Sequence, residues 1–153
     1  MKHGQFTGTF TLRPVKHKRY MLFWTRALYK FENDTTNPLT YHCPGGANIR
    51  PADGMITDMG TVPRFAAVFI SKDRFLKSYI IHDSGYNEGG FRVARYGTND
   101  YRLIHAARLI IDQQLRECIA AQGGDRVTRN VIFAAVRAGG TELWSRRHGK
   151  RRD

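Results

Sequence analysis

Phe75-Leu76-Lys77-Ser78-Tyr79-Ile80-Ile81-His82-Asp83-Ser84-Gly85-Tyr86 divides the chain into a strand-like part before it and a helix-like part from it onward. Residues three or four apart share a helix face, so Phe75, Tyr79, His82 and Tyr86 form one stripe and Leu76, Ile80 and Asp83 the adjoining one. Both stripes are rich in aromatic and aliphatic residues and are expected to face inward, carrying His82 and Asp83 with them. An ionised carboxylate taken out of water is costly unless a cation, a metal or several donors meet it. This pair is therefore the first place to look for chemistry.

Upstream, Phe6, Phe10 and Leu12 alternate with Thr7, Thr9 and Thr11, which is the period of a half-buried strand, and Pro14 ends or edges it. Tyr20-Met21-Leu22-Phe23-Trp24-Thr25 reads as a second strand, and residues 27–31 can extend it. Shorter strands are expected over 39–42, 47–50 and 55–57, separated by Pro44-Gly45-Gly46 and Pro51-Ala52-Asp53-Gly54. The first third is thus a small antiparallel sheet. Downstream, Thr61 can cap a short helix with Pro63 in its first turn, and Ser71 or Asp73 can begin the helix that carries His82. Thr98 or Asn99 can cap a longer helix in which Ile104, Ala107, Ile111, Leu115 and Cys118 recur before Gly123-Gly124. A last helix is expected from about residue 128 to 138, with Val127, Val131 and Ala135 on one face. Strands first and helices later give an α+β fold: a small N-terminal antiparallel sheet with three to four helices packed on it.

A chain of 153 residues with 41% apolar content suits one domain, placed at residues 1–145, with a basic tail at 146–153. The tail, from Arg146-Arg147-His148-Gly149-Lys150-Arg151-Arg152, reads first as a solvated charge run. Cys43 and Cys118 lack zinc-ligand spacing and disulfide density, and read as reduced thiols. No apolar run approaches the roughly 18 residues that span a bilayer, and the N-terminus has no signal-peptide pattern. The formal charge of +12 implies a surface attracted to polyanions. Any DNA contact is expected to be non-specific and mostly to phosphates, since no helix-turn-helix, zinc finger or aromatic RNA-binding signature is present.

Two further acids belong with His82 and Asp83. Asp100 stands four residues before Ile104 in the expected long helix, in line with Ala107 and Ile111. Asp58 lies in the tight link Thr57-Asp58-Met59-Gly60-Thr61-Val62-Pro63, and links on a rigid scaffold commonly carry functional groups. Asp58, His82, Asp83 and Asp100 would make an N/O ligand set for zinc, manganese or iron, and a bound metal could activate a water. Without metal, Asp58 or Asp100 could orient His82 as a general base, with Asp83 beside it. The structural alternative stands next to these: Asp100 near a helix start satisfies the macrodipole, Asp58 caps a turn, and Asp83 pairs with Arg64 or another arginine. Trp144 is expected to seal the core. His42 and His105 read as incidental, and the Gly-Gly pairs as turns.

Met55-Ile56-Thr57-Asp58-Met59-Gly60-Thr61-Val62-Pro63-Arg64, Ile81-His82-Asp83-Ser84-Gly85-Tyr86, Asn99-Asp100-Tyr101-Arg102 and Ala135-Val136-Arg137-Ala138-Gly139-Gly140 with Trp144 together resemble the family of domain of unknown function 1353, over roughly residues 47–144. That family usually reads Thr-Asp-x-x-Ser-Val-Pro-Arg and His-Asp-x-x-Tyr; here Thr61 replaces the serine and keeps its hydroxyl. Ser84-Gly85 stands where the family often has bulkier residues, which would loosen packing beside His82. The resemblance carries to Asp58, Pro63, Arg64, His82, Asp83, Tyr86 and Asp100, with Pro63, Arg64 and Tyr86 as structural members. It implies no established activity. It implies a phage or prophage setting, in the virion or the host cytoplasm, with other phage structural proteins as partners. The His-Asp-x-x-Tyr helix also resembles the catalytic helix of secreted phospholipases, without their dense cysteines or glycine-rich calcium loop. The function expected first is a tail- or baseplate-associated structural or accessory protein; the alternative, compatible with it, is a metal-dependent hydrolase acting on a cell-envelope polymer such as peptidoglycan.

Overall fold

The computed structural model of the chain describes residues 3–15, 19–20, 24–25, 28–58 and 73–149. Strands dominate the first part: β1 (Gln5–Thr7), β2 (Phe10–Val15), β3 (Arg19–Tyr20), β4 (Trp24–Thr25), β5 (Leu28–Asn33), β6 (Thr40–His42), β7 (Ala47–Arg50) and β8 (Ile56–Thr57). A 3-10 turn, Asp73–Phe75, leads into helix α1 (Leu76–Glu88). Strands β9 (Gly90–Arg95) and β10 (Arg102–His105) follow, then α2 (Arg108–Ala121), α3 (Arg126–Gly139) and α4 (Thr141–His148). The fold is α+β, as expected, and the helices lie after the first eight strands.

The strands form a five-stranded antiparallel sheet in the order β1-β6-β7-β9-β10, a three-stranded sheet β2-β5-β8, and the hairpin β3-β4. Two sequence expectations change here. The run from Tyr20 to Thr25 is not one strand, because Tyr20 pairs back with Trp24 and Arg19 with Thr25. The helix expected to start at Thr98 or Asn99 starts at Arg108. Arg102–His105 is instead a strand paired with Gly90–Val93, and Gly97, at φ 80°, supplies the left-handed residue of the turn between them. The short helix expected after Thr61, with Pro63 and Arg64, lies outside the described residues.

The alternation of strand side chains decides where the core forms. Phe6, Tyr41, Ile49, Val93 and Phe91 share one face of the five-stranded sheet by register, and this face meets Ile81 and Tyr86 of α1, Ile111 and Cys118 of α2 and Trp144 of α4. On the far side of α1, Ile80 packs with Phe31, Leu39 and Met55 from the strand region. Phe75 and Tyr79 pack with Leu115, Ile119, Ile132 and Ala135. Helix α1 is therefore surrounded, and nearly all its middle residues are buried.

Gly85 makes this possible: a Cβ there would stand 2.9 Å from both Ile111 and Phe91. The expected looseness at Ser84-Gly85 is not found, since Phe91 and Ile111 close on the glycine and Ser84 Oγ accepts a hydrogen bond from the Ala52 N–H at 2.8 Å. Helix α3 begins earlier than its sequence pattern suggested, because Asp125 caps it by accepting from the Thr128 N–H at 2.8 Å. Its inward residues are Ile132 and Ala135, whereas Val127 is 73% exposed. Trp144 is fully buried, as its position suggested. The first residues of the expected tail, Arg146, Arg147 and His148, form the last turn of α4, and His148 Nε2 lies 2.7 Å from the Tyr86 carbonyl.

Candidate functional site

His82 sits in the middle of α1 with 9% of its side chain exposed. Its partner comes from the neighbouring helix and was not singled out in the sequence: Asp112 of α2, with no exposed surface, lies 2.8 Å from His82 Nε2 through Oδ1. The Tyr86 hydroxyl donates to the same oxygen at 2.9 Å. Arg137 Nη1 of α3 donates to Oδ2 at 3.0 Å, and Arg108 Nε stands 3.6 Å from Oδ2. A buried carboxylate is sustained only when its charge and lone pairs are met. Here an imidazole, a phenol and two guanidinium groups meet them.

Arg108, 2% exposed, explains how the cluster is held. Its Nε donates to the Tyr86 hydroxyl at 2.9 Å and its Nη1 to Thr141 Oγ1 at 2.7 Å. Its Nη2 donates to the carbonyls of Val136, at 3.1 Å, and Arg137. These carbonyls belong to the last turn of α3, where the dipole is negative, and that of Val136 also accepts the Gly140 N–H at 2.9 Å. One guanidinium thus caps α3, anchors the start of α4 and orients the phenol that holds Asp112. Gly140 completes the fit, because a Cβ there would lie 2.7 Å from the Tyr86 hydroxyl.

The other nitrogen of His82 faces outward to Asp83, with Nδ1 3.8 Å from Oδ1. Asp83 is 19% exposed and accepts a hydrogen bond from Thr57 Oγ1, at the end of β8. Burial disfavours the His82 imidazolium, but the hydrogen bonds and charges of Asp112 and Asp83 outweigh it, and the His82 pKa is raised. For Asp112 burial pushes upward, and the bonds from His82, Arg137 and Tyr86 prevail, so its pKa is lowered. Burial raises the Tyr86 pKa, so the phenol stays protonated and donates. Because ionised Asp112 can only accept, Nε2 carries a hydrogen in either charge state of His82. The neutral ring therefore presents its lone pair at Nδ1, on the side of Asp83.

Of the four acids and imidazoles expected to converge, Asp100 is the one the structure places elsewhere. His82 and Asp83 do adjoin, and Asp58 follows Thr57, the residue bound to Asp83. Asp100 does not join them. It lies in the β9-β10 connection, 67% exposed, paired with Arg102 at 2.7 Å, because the segment after it forms a strand and not the helix that would have turned it inward. The carboxylate that orients His82 is Asp112, not Asp58 or Asp100. Among the described residues no three His, Cys, Asp or Glu side chains form a group that could hold a metal ion. The proposed set of Asp58, His82, Asp83 and Asp100 does not fit a metal, since Asp100 is elsewhere and Nε2 of His82 is committed to Asp112. Tyr86, named for its motif, proves to be a member of the cluster; Pro63 and Arg64 lie outside the described residues.

The fold and site define an α+β protein built around a His–Asp pair shared by two packed helices. Residues 34–136 match the family described as protein of unknown function DUF1353, and because this is more than half of the chain, the protein belongs to that family. No curated protein and no solved structure matches it. No helix among the described residues is long and apolar enough to cross a membrane.

Proposed function

We propose that the protein is a hydrolase in which His82, oriented by Asp112, is the general base. The supporting observation is the division of labour at the imidazole: Nε2 is fixed by a fully buried carboxylate at 2.8 Å, and Nδ1 is turned to the less buried Asp83. In this reading a water between Nδ1 and Asp83 gives its proton to Nδ1, and its oxygen attacks the carbonyl carbon of an ester or amide. The imidazolium is stabilised between Asp112 and Asp83 and returns the proton to the leaving group. Tyr86, Arg108 and Arg137 are positioning residues that hold Asp112 in place. The resemblance of the His-Asp-x-x-Tyr helix to that of secreted phospholipases points the same way. The proposed substrate class is a cell-envelope polymer such as peptidoglycan, in the phage setting that the family resemblance implies.

Release of soluble fragments from purified envelope tests this directly. Wild type is expected to release them, and His82→Gln to be slower by at least about 10²-fold, the usual contribution of a general base, with its far-UV spectrum unchanged. Wild type without activity on peptidoglycan or on envelope lipid esters would overturn the reading.

A second reading has its own support, in the completeness with which four side chains satisfy Asp112. In it the cluster locks the packing of α1, α2 and α3, and the protein is a structural or accessory component of a phage particle, at the tail or baseplate. Co-sedimentation with virions, together with a His82→Gln variant that assembles less well but loses no enzymatic activity, would favour it.

A further inference from the structure

We infer that the outer face of the five-stranded sheet binds single-stranded nucleic acid. Register places Arg50 opposite Arg92, and Arg92 opposite Leu103, on the face turned away from α1 and α2. Tyr101, one residue before β10, lays its ring under the Arg50 guanidinium, 4.1 Å from centroid to Cζ. Just beyond β9, the Tyr96 N–H extends the ladder by donating to the Gly46 carbonyl at 2.9 Å. The Tyr96 ring itself is 74% exposed, with His42 edge-on at 6.3 Å.

A tyrosine this exposed, in the turn just beyond a strand, leaves most of its ring free of the fold. It offers a planar face on which a base can stack, and the Arg50–Tyr101 pair offers a second platform with a charge. The Arg50 guanidinium, on the same face, carries the charge that can meet a phosphate. Arg92 is held by Glu88 at 2.6 Å and serves to shape the surface more than to charge it. The occupant is a single strand because its unpaired bases are free to stack on aromatic side chains, whereas a duplex hides its base faces. The +12 formal charge supplies long-range attraction to the phosphates. The motif is invisible in sequence, since Arg50, Tyr96 and Tyr101 come from separate segments.

Fluorescence anisotropy with labelled 20-mers of oligo(dT), oligo(rU) and a DNA duplex tests the assignment on the full chain. Both single strands should bind more tightly than the duplex, or one of them should, which fixes the sugar. Tyr96→Ala should weaken single-strand binding by about tenfold or more, as loss of a stacked base does, and Arg50→Ala should weaken binding and reduce its salt dependence. A double variant Arg151→Ala/Arg152→Ala should retain most of the affinity. The inference is overturned by absence of binding, by preference for duplex, by wild-type affinity in Tyr96→Ala, or by loss confined to the Arg151/Arg152 variant.

Discussion

Replacing Asp112 by Asn keeps the shape of the side chain and removes the negative charge at the centre of the site. Arg108, 2% exposed, then loses the carboxylate whose Oδ2 stands 3.6 Å from its Nε, and Arg137 Nη1 meets a neutral amide where Oδ2 stood at 3.0 Å. His82 loses the carboxylate that accepts from Nε2. Removing one partner of a buried ion pair costs about 3–5 kcal/mol, because the remaining charge stays buried and unmatched. Arg137 is 32% exposed and can turn toward water, so the lower half of that range is expected, about 3–4 kcal/mol. Against a typical domain stability of about 5–15 kcal/mol, this is a large fraction. Urea unfolding followed by far-UV circular dichroism reads it as a lower midpoint at unchanged slope. A shift below about 1 kcal/mol, the size of a neutral hydrogen bond, would refute the claim that Asp112 is the ionised centre of the cluster.

Other substitutions and pH separate the same ideas. Asp100→Asn breaks only the exposed pair with Arg102, and thermal unfolding should move by less than about 1 kcal/mol, the limit for surface ion pairs. Arg108→Lys keeps the charge but loses the fork that reaches Tyr86, Thr141 and the end of α3; a loss of about 2–3 kcal/mol is expected in urea unfolding, as for bonds to charged groups. Gly85→Ala gains about 1 kcal/mol of helix propensity but drives a methyl to 2.9 Å from Ile111 and Phe91, with a net loss of about 1–2 kcal/mol in thermal unfolding expected from overpacking. The raised His82 pKa contributes stability that is complete below its unfolded value of about 6.5 and fades as pH rises through the folded value. The lowered Asp112 pKa contributes above about 3.9 and fades as pH falls through its folded value. Urea midpoints should therefore be highest between about pH 4 and 6.5 and decline above it less steeply in His82→Gln. Hydrolysis runs the other way, rising with pH as Nδ1 loses its proton.

The inward stripe Phe75-Tyr79-His82-Tyr86 was legible because three aromatic residues at helical spacing have no other economical place, and all four are buried. The strands of the first third were legible by alternation and turn residues. The β9-β10 hairpin was not: Ile104, Ala107 and Ile111 keep helical spacing across a strand, a connection and a helix, and only the pairing of Arg102–His105 with Gly90–Val93 separates them. Asp100 was misplaced for the same reason. Asp112 was missed although a signal existed. Arg108, Asp112, Leu115 and Ile119 fall at spacings of four, three and four on one face of α2, and all four are buried. An Arg–Asp pair heading an apolar stripe marks a buried ion pair, but its histidine partner is thirty residues away, a distance that only the packing of α1 on α2 can close.

The claim on which the function rests is that Asp112 fixes His82 with Nδ1 as the working nitrogen. Nitrogen-15 NMR of the His82 ring across pH reads both points at once. A midpoint above 6.5, Nε2 protonated on both sides of it, and a midpoint that falls in Asp112→Asn are the results expected. A midpoint at or below 6.5, or a neutral ring carrying its hydrogen on Nδ1, would contradict the assignment.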